Sequence, residues 1–425
     1  MIQQVYNAVD CIVNLGPQRP GNFTMKLTIG LLWHTLHSPN LGVDALTRAN
    51  IAILKSAATR TGILLDFILL GLNEPNAPLP DLADVRQGPS PSLMKLARGR
   101  WGYLKALRDC DLVIDISEGD SFADIYGARR FLLQGYSKVA ALQSGRPLIL
   151  APQTIGPFNS KWSRWLAKHL MRHAFAVFAR DGLSTKMLHS LGMRDNIDEF
   201  IDVAFRLPYQ SHTVNNTGKQ WIGINVSGLL YSEGSRFGLT LNYANLTDRF
   251  IQYFADRNDV QLWIVPHVLA PGAPDDDLEV SKGLANRFPF IKIAPAFSTS
   301  SDAKSFVSNL DLLVAARMHA SIAAFSSGVP VMPIAYSRKF NGLYSTLGYN
   351  FLIDGRTATT DEAYLALTDA INRTDEMKVQ ISRGMELAQA RLDHYEDFLV
   401  DTLLGFKSSE ISNLNGRGCG SGKKT

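Results

Sequence analysis

Cysteine is scarce in this 425-residue chain: Cys11, Cys110 and Cys419 are odd in number and far apart. That excludes a disulfide framework and a spaced thiolate metal site. No uninterrupted apolar run approaches the roughly 20 residues that span a bilayer, and the first residues lack the basic start and long apolar core of a secretion signal. A cytoplasmic protein is expected. Charge of one sign is also sparse, with a formal net charge of +4 and 19% charged residues. Such a balance does not call for nucleic acid, although it suits anionic small molecules or an acidic surface. Neither half carries a GxGxxG or a P-loop GxxxxGK[ST], which weakens simple dinucleotide and nucleotide-triphosphatase readings.

What the chain does contain is ordinary globular material, 46% hydrophobic, in a length that favours two domains over one core. Apolar strand-like runs alternate with helical patterns twice over, which predicts two doubly wound, Rossmann-like α/β domains facing a cleft. The boundaries read as an irregular extension (1–24), a first domain (25–207), a linker rich in Pro, Ser, Thr, Asn and Gly (208–220), a second domain (221–360), closing helices (361–407) and a disordered tail (408–425). Met25 is the expected functional start. A helix is expected over Ala45–Thr59 after a turn at Asn40–Ala45, and another over Leu93–Leu107.

Polar residues collect where strands end. In the first half these are Ser117, Glu118, Asp120, Asp124, Tyr126, Gln153, Arg180 and Asp181; in the second, Ser227, His267, Arg317, Met318, His319 and Lys339. Ligands of open parallel sheets gather at that edge, where helix N-termini also present free N–H groups. Arg180, Arg317 and Lys339 would give the cleft three cations suited to phosphate or carboxylate. His319 is the natural acid or base, and Asp120, Asp124 and Asp181 are candidate bases for a hydroxyl acceptor. Plainer readings stand beside these: Arg180-Asp181 as a structural ion pair or a helix cap, His319 as a hydrogen-bonded structural histidine, Lys339 as solvated. Asp275–Asp277 reads as a loop or helix start, because consecutive side chains do not all turn to one ion. No metal site is expected.

Five segments in order resemble the polysaccharide pyruvyl transferase family: NLGVDA at Asn40–Ala45, SEGDSFADIYG at Ser117–Gly127, APQTIGPF at Ala151–Phe158, FARDGLS at Phe178–Ser184, and DLLVAARMHASIAAFSSGVPVMPIAYSRKFNGL at Asp311–Leu343. The resemblance implies a glycosyltransferase-B-like fold and transfer of pyruvyl from phosphoenolpyruvate to two sugar hydroxyls as a ketal, with release of phosphate and no further cofactor. It implies donor and catalytic roles for Arg180, Arg317 and His319, with Met318, Lys339 and Ser227 on the donor side. The acceptor side would comprise Ser117, Glu118, Asp120, Asp124, Tyr126, Gln153, Asp181 and His267. The acceptor would be a saccharide or a lipid-linked saccharide, the latter bringing peripheral association with the inner face of the membrane. The chain departs from the family pattern at Glu118, where Gly is usual, and at Val43, inserted between Gly42 and Asp44. Two alternatives remain at this stage: a nucleotide-sugar glycosyltransferase of similar fold, and a non-catalytic glycan-binding relative.

Overall fold

The computed structural model describes residues 25–72, 82–98, 101–119, 122–211 and 218–418. The expected extension (1–24), the middle of the expected linker (212–217) and Asp120 lie outside the described residues. The first half runs β1 (Met25–Leu32), α1 (Leu41–Thr61), β2 (Ile63–Leu70), β3 (Val85–Gln87), α2 (Leu93–Ala97), α3 (Gly102–Arg108), β4 (Leu112–Asp115), α4 (Ala128–Gln143), β5 (Leu148–Gln153), α5 (Lys161–His173), β6 (Ala176–Ala179), α6 (Gly182–Ser190) and β7 (Ile197–Glu199). The second continues with β8 (Gln220–Asn225), α7 (Gly228–Glu233), α8 (Tyr243–Gln252), β9 (Val260–Ile264), α9 (Asp277–Arg287), β10 (Lys292–Ile293), α10 (Ser300–Val307), β11 (Leu312–Ala315), α11 (Met318–Ser326), β12 (Val331–Ala335), α12 (Arg338–Thr346), β13 (Ile353–Asp354), α13 (Thr360–Ala370) and α14 (Thr374–Gly418).

The central strands are short, apolar and buried on both faces, as parallel strands covered by helices must be. Ile29, Leu31, Leu112, Ile114, Ile149 and Val177 in one sheet, and Ile222, Leu312, Leu313 and Val331 in the other, are almost wholly out of solvent. Seven parallel strands pair in the order β3-β2-β1-β4-β5-β6-β7, and six in the order β10-β9-β8-β11-β12-β13. Both orders reverse direction at their centre, between β1 and β4 and between β8 and β11. The crevice beyond such a reversal is where open α/β sheets bind ligands. Ser117 follows β4 and Arg317 follows β11, so each half delivers polar residues to its own crevice.

The halves are stitched across the cleft. Leu41 N–H donates to His267 O at 3.1 Å and Leu269 N–H to Pro39 O at 2.8 Å, while Asp44 of α1 accepts from Ser300 N–H at 2.9 Å and Ser300 Oγ at 2.6 Å. The last helix then returns to the first half. Its inward stripe, Met377, Ile381, Ala388, Leu392, Tyr395, Leu399 and Leu403, is buried at helical spacing. Tyr395 donates to Asn50 Oδ1 at 3.1 Å, and Arg206 pairs with Glu396 at 2.5 Å and with Asp393.

Three local expectations are corrected. Asn40–Ala45 is the start of α1 and not a preceding turn, because Asn40 caps the helix by accepting from Gly42 N–H at 3.0 Å. The helix expected over Leu93–Leu107 is two short helices, α2 and α3. The tail expected to lose structure at Ser408 instead continues α14 to Gly418. At Lys407 the helix still touches the first half, with Nζ donating to Thr61 O at 3.2 Å at the carbonyl end of α1.

Candidate active site

One cavity of about 90 Å³ lies between the two crevices, with Asn40, Val43, Glu118 and Arg180 from the first half facing His267, Arg317, Met318, His319, Tyr336, Ser337, Lys339 and Phe340 from the second. The sequence placed Glu118, Arg180, His267, Arg317, Met318, His319 and Lys339 here, and the structure brings all seven together. Asn40, Val43, Tyr336, Ser337 and Phe340 were missed as lining residues.

Arg180 leaves the end of β6 and is 2% exposed. Its ion-pair partner is not its neighbour Asp181 but Asp202, from the apolar run Phe200–Phe205: Arg180 Nη1 donates to Asp202 Oδ2 at 2.6 Å. Asp202 Oδ2 also faces His319 Nε2 at 3.7 Å, an electrostatic contact longer than a hydrogen bond. Burial alone would raise the Asp202 pKa, but the Arg180 guanidinium, with His319 and the Ala204 N–H, outweighs it and draws the pKa down to about 2. An ionised carboxylate is thus fixed between the two residues expected to do the chemistry.

His319 lies in the first turn of α11. Its ring packs on the backbone of α1: a Cβ added at Gly42 would meet His319 Nδ1 at 2.4 Å and Cγ at 2.8 Å. The glycine of the first motif therefore serves the histidine of the last. Arg317 caps α11, held on the other side by Asp277, with Nη2 donating to Asp277 Oδ1 and to Asp275 O, each at 2.7 Å. Asp277 is fully buried and accepts further from the N–H groups of Gly228, His267 and Val268. The acidic triplet is a helix start, as expected, since Asp276 caps α9; its role as the Arg317 counter-ion was not foreseen.

Three nitrogens in this cavity, Arg180 Nη2, His267 Nε2 and His319 Nε2, are buried and have no hydrogen-bond partner among the described residues. Buried polar atoms are nearly always satisfied, so three among the residues of the facing walls mark a place for a polar ligand. His267 is neutral: burial first, then the nearby His319 and Arg317 charges, lowers its pKa to about 3. It can add a polar contact without charge.

In the first half, Ser117-Glu118 turns sharply after β4, with both residues at positive φ, 51° and 56°. Glu118 reaches Arg130 at 3.0 Å. Ser117 does not line the cavity, because it is tied down by a buried pair beneath it: Lys138 Nζ lies 3.0 Å from Asp115 and donates to Ser117 Oγ at 3.2 Å. Gln153 spends its amide on Asp115, donating to its O at 3.1 Å. Asp124 accepts from Asn159 N–H, Ser160 N–H and Ser163 Oγ and so anchors the start of α5. Asp181 caps α6 by accepting from Ser184 N–H at 2.8 Å, and Ser227 caps α7. These five sit outside the cavity lining because their polar atoms close turns and helix ends. Tyr126 reaches the rim, where Lys339 Nζ donates to its hydroxyl at 2.8 Å across the cleft. Among the described residues, no group of three or more His, Cys, Asp or Glu converges as metal ligands would.

The family model for polysaccharide pyruvyl transferase matches residues 40–338. The chain belongs to the polysaccharide pyruvyl transferase family. The match runs from the Asn40 cap to the start of α12, and so contains every cavity residue except Lys339 and Phe340. This pyruvyl transferase family member has the glycosyltransferase-B-like fold. Similar solved structures include the UDP-GlcNAc 2-epimerase from Neisseria meningitidis bound to UDP-GlcNAc (12% identity, 90% of this chain and 100% of that one, TM-score 0.56). They include too the UDP-GlcNAc 2-epimerase from Methanocaldococcus jannaschii (13%, 82% and 93%, TM-score 0.51). A third is the E. coli trehalose-6-phosphate protein bound with UDP-2-fluoro glucose (11%, 88% and 98%, TM-score 0.52). At these identities the likeness is one of fold.

Proposed function

We propose that this family member transfers pyruvyl from phosphoenolpyruvate to two hydroxyls of a saccharide, forming a pyruvate ketal and releasing phosphate. The observation that carries the reading is the trio of unpartnered buried nitrogens beside Arg317 in one small cavity. Phosphoenolpyruvate offers what they lack, a dianionic phosphate and a carboxylate on a three-carbon frame. Cationic side chains on facing walls, Arg180 opposite Arg317 and Lys339, suit a donor that carries two anionic groups.

In this reading Arg180 meets one anionic group through Nη2, since Nη1 is held by Asp202, and Arg317 meets the other through Nη1, since Nε and Nη2 are held by Asp277 and Asp275. Their own counter-ions, Asp202 and Asp277, fix where the forks point, so little reorganisation is needed when the donor arrives. His319 delivers a proton to the methylene carbon of the enol, making the methyl group, while the first acceptor hydroxyl attacks the adjacent carbon and gives up its proton. Phosphate then leaves with the C–O bonding pair, and the second hydroxyl attacks the resulting cationic carbon, losing its proton as the ketal closes. Asp124 and Asp181 are committed to helix starts, which argues against either as the base. Lys339 and Tyr126 at the rim suit an acceptor contact. A lipid-linked acceptor would bring the protein to a membrane surface.

The test is incubation of the purified protein with phosphoenolpyruvate and a panel of bacterial-type saccharides. Phosphate release matched by a ketal mass on one acceptor is expected; turnover of a nucleotide sugar instead, or glycan binding with no donor binding, would replace the reading.

A further inference from the structure

The outward face of α5 is built unlike an ordinary surface helix. Small residues, Ser163 and Ala167, take part in its buried stripe, whereas its two tryptophans point outward, Trp162 45% and Trp165 67% exposed. The Trp165 ring stacks on His169 at 5.6 Å, so it lies along the helix surface and does not fold inward. Cations surround the rings: Lys161, Arg164, Lys168 and Arg172 are all on α5, and neither α5 nor the adjoining α4 contains a single Asp or Glu. Leu132 on α4 is 44% exposed, and an apolar furrow of about 270 Å³ runs between the two helices beside Leu142, Leu170 and His173.

Exposed indoles beside Lys and Arg, on two helices that carry no acid of their own, match the two layers of an anionic bilayer surface. Tryptophan favours the boundary between headgroups and acyl chains, and the long basic side chains extend to lipid phosphates. A second copy of this chain fits poorly, because a two-fold contact would press two acid-free basic faces together. We propose that the α4–α5 face docks on membranes containing anionic phospholipid. The inference does not depend on what the cavity binds, but it would set the cavity beside the lipid. Asp124, which anchors the start of α5, and Tyr126, which meets Lys339 at the cavity rim, belong to one short loop.

The test uses the full chain without donor or acceptor, sedimented with vesicles of phosphatidylcholine alone or with about one third phosphatidylglycerol. Binding only to the anionic vesicles is expected, weakened by salt and accompanied by a blue shift of tryptophan emission. Lys161→Glu with Arg172→Glu should lower the partition coefficient by at least about fivefold for each charge lost, and Trp165→Ser should weaken binding and remove most of the blue shift. Lys378→Glu with Arg383→Glu on α14, an equal charge change away from this face, should leave binding unchanged, and unchanged melting of all variants checks the fold. Four results would overturn the proposal: no binding to anionic vesicles, equal binding to neutral ones, full binding by the face variants, or a face that instead drives self-association or captures RNA without holding vesicles.

Discussion

Gly42→Ala is the sharpest perturbation the structure offers, because it touches His319 without removing any catalytic group. The added Cβ would stand 2.4 Å from His319 Nδ1, whereas ordinary contact begins near 3.4 Å, so the imidazole must move by about 1.0 Å. Displacements of that size at a reacting group cost on the order of 10²-fold in rate, or about 2.7 kcal/mol of barrier. The fold should hardly notice. Gly42 lies in the first turn of α1, where alanine is the better helix former by up to roughly 1 kcal/mol, and the neighbour that must yield is a partly exposed side chain. The expected result is a melting temperature within a few degrees of the parent and phosphate release from phosphoenolpyruvate about a hundredfold slower with a productive acceptor. Unaltered turnover would show that His319 is not the positioned acid, or that its observed seat is not the working one.

Arg180→Lys should keep the fold, since the ammonium still faces Asp202, yet lose donor binding with the fork; Arg180→Ala should melt much earlier, because an unpaired buried carboxylate costs roughly 3–5 kcal/mol. Urea denaturation beside a donor titration separates the two, and a stable Arg180→Ala would refute the pairing. Glu118→Gly should leave stability within about 1 kcal/mol: relief of the left-handed backbone, about 1–2 kcal/mol, is offset by the lost Arg130 pair, about 1 kcal/mol or less. A loss beyond 3 kcal/mol in melting would contradict this. Acid should destabilise the protein before its carboxylates titrate. Burial lowers the pKa of His34 to about 4 and of His267 to about 3, against about 6.5 unfolded. As pH falls below about 6.5 the unfolded chain takes up those protons first, and stability drops by up to roughly 1.4 kcal/mol per unit per histidine until pH approaches those folded values. Equal stability at pH 7 and pH 5 would argue against it.

The doubly wound halves were legible because parallel strands buried on both faces leave unbroken apolar runs, and each run here ends in a polar cluster. Arg180, Arg317 and His319 stood out as residues of one cavity for the same reason: each follows a buried strand at the carboxyl edge of its sheet. Their counter-ions were not. Asp202 sits in the apolar run Phe200–Phe205 and Asp277 in a triplet that caps a helix, and neither contact is local: 22 residues separate Arg180 from Asp202 and 40 separate Arg317 from Asp277. A lone acid within FIDVAF was the one available signal, since a buried carboxylate needs a partner. Conversely, Asp124 and Asp181 read as candidate bases and Ser227 as a donor contact at strand ends, because helix caps use the same residue types at the same places. The first motif hid its meaning in a glycine, whose reason is a ring nearly three hundred residues away, between Gly42 and His319.

The central claim is that Arg180, Arg317 and His319 form a phosphoenolpyruvate site, and ligand-induced thermal stabilisation tests it most directly. A donor at 100 times its dissociation constant stabilises a single-site protein by about 2.7 kcal/mol. A melting shift with phosphoenolpyruvate is expected in the parent and absent in Arg180→Lys and Arg317→Lys. A shift with a nucleotide sugar but none with phosphoenolpyruvate would contradict it.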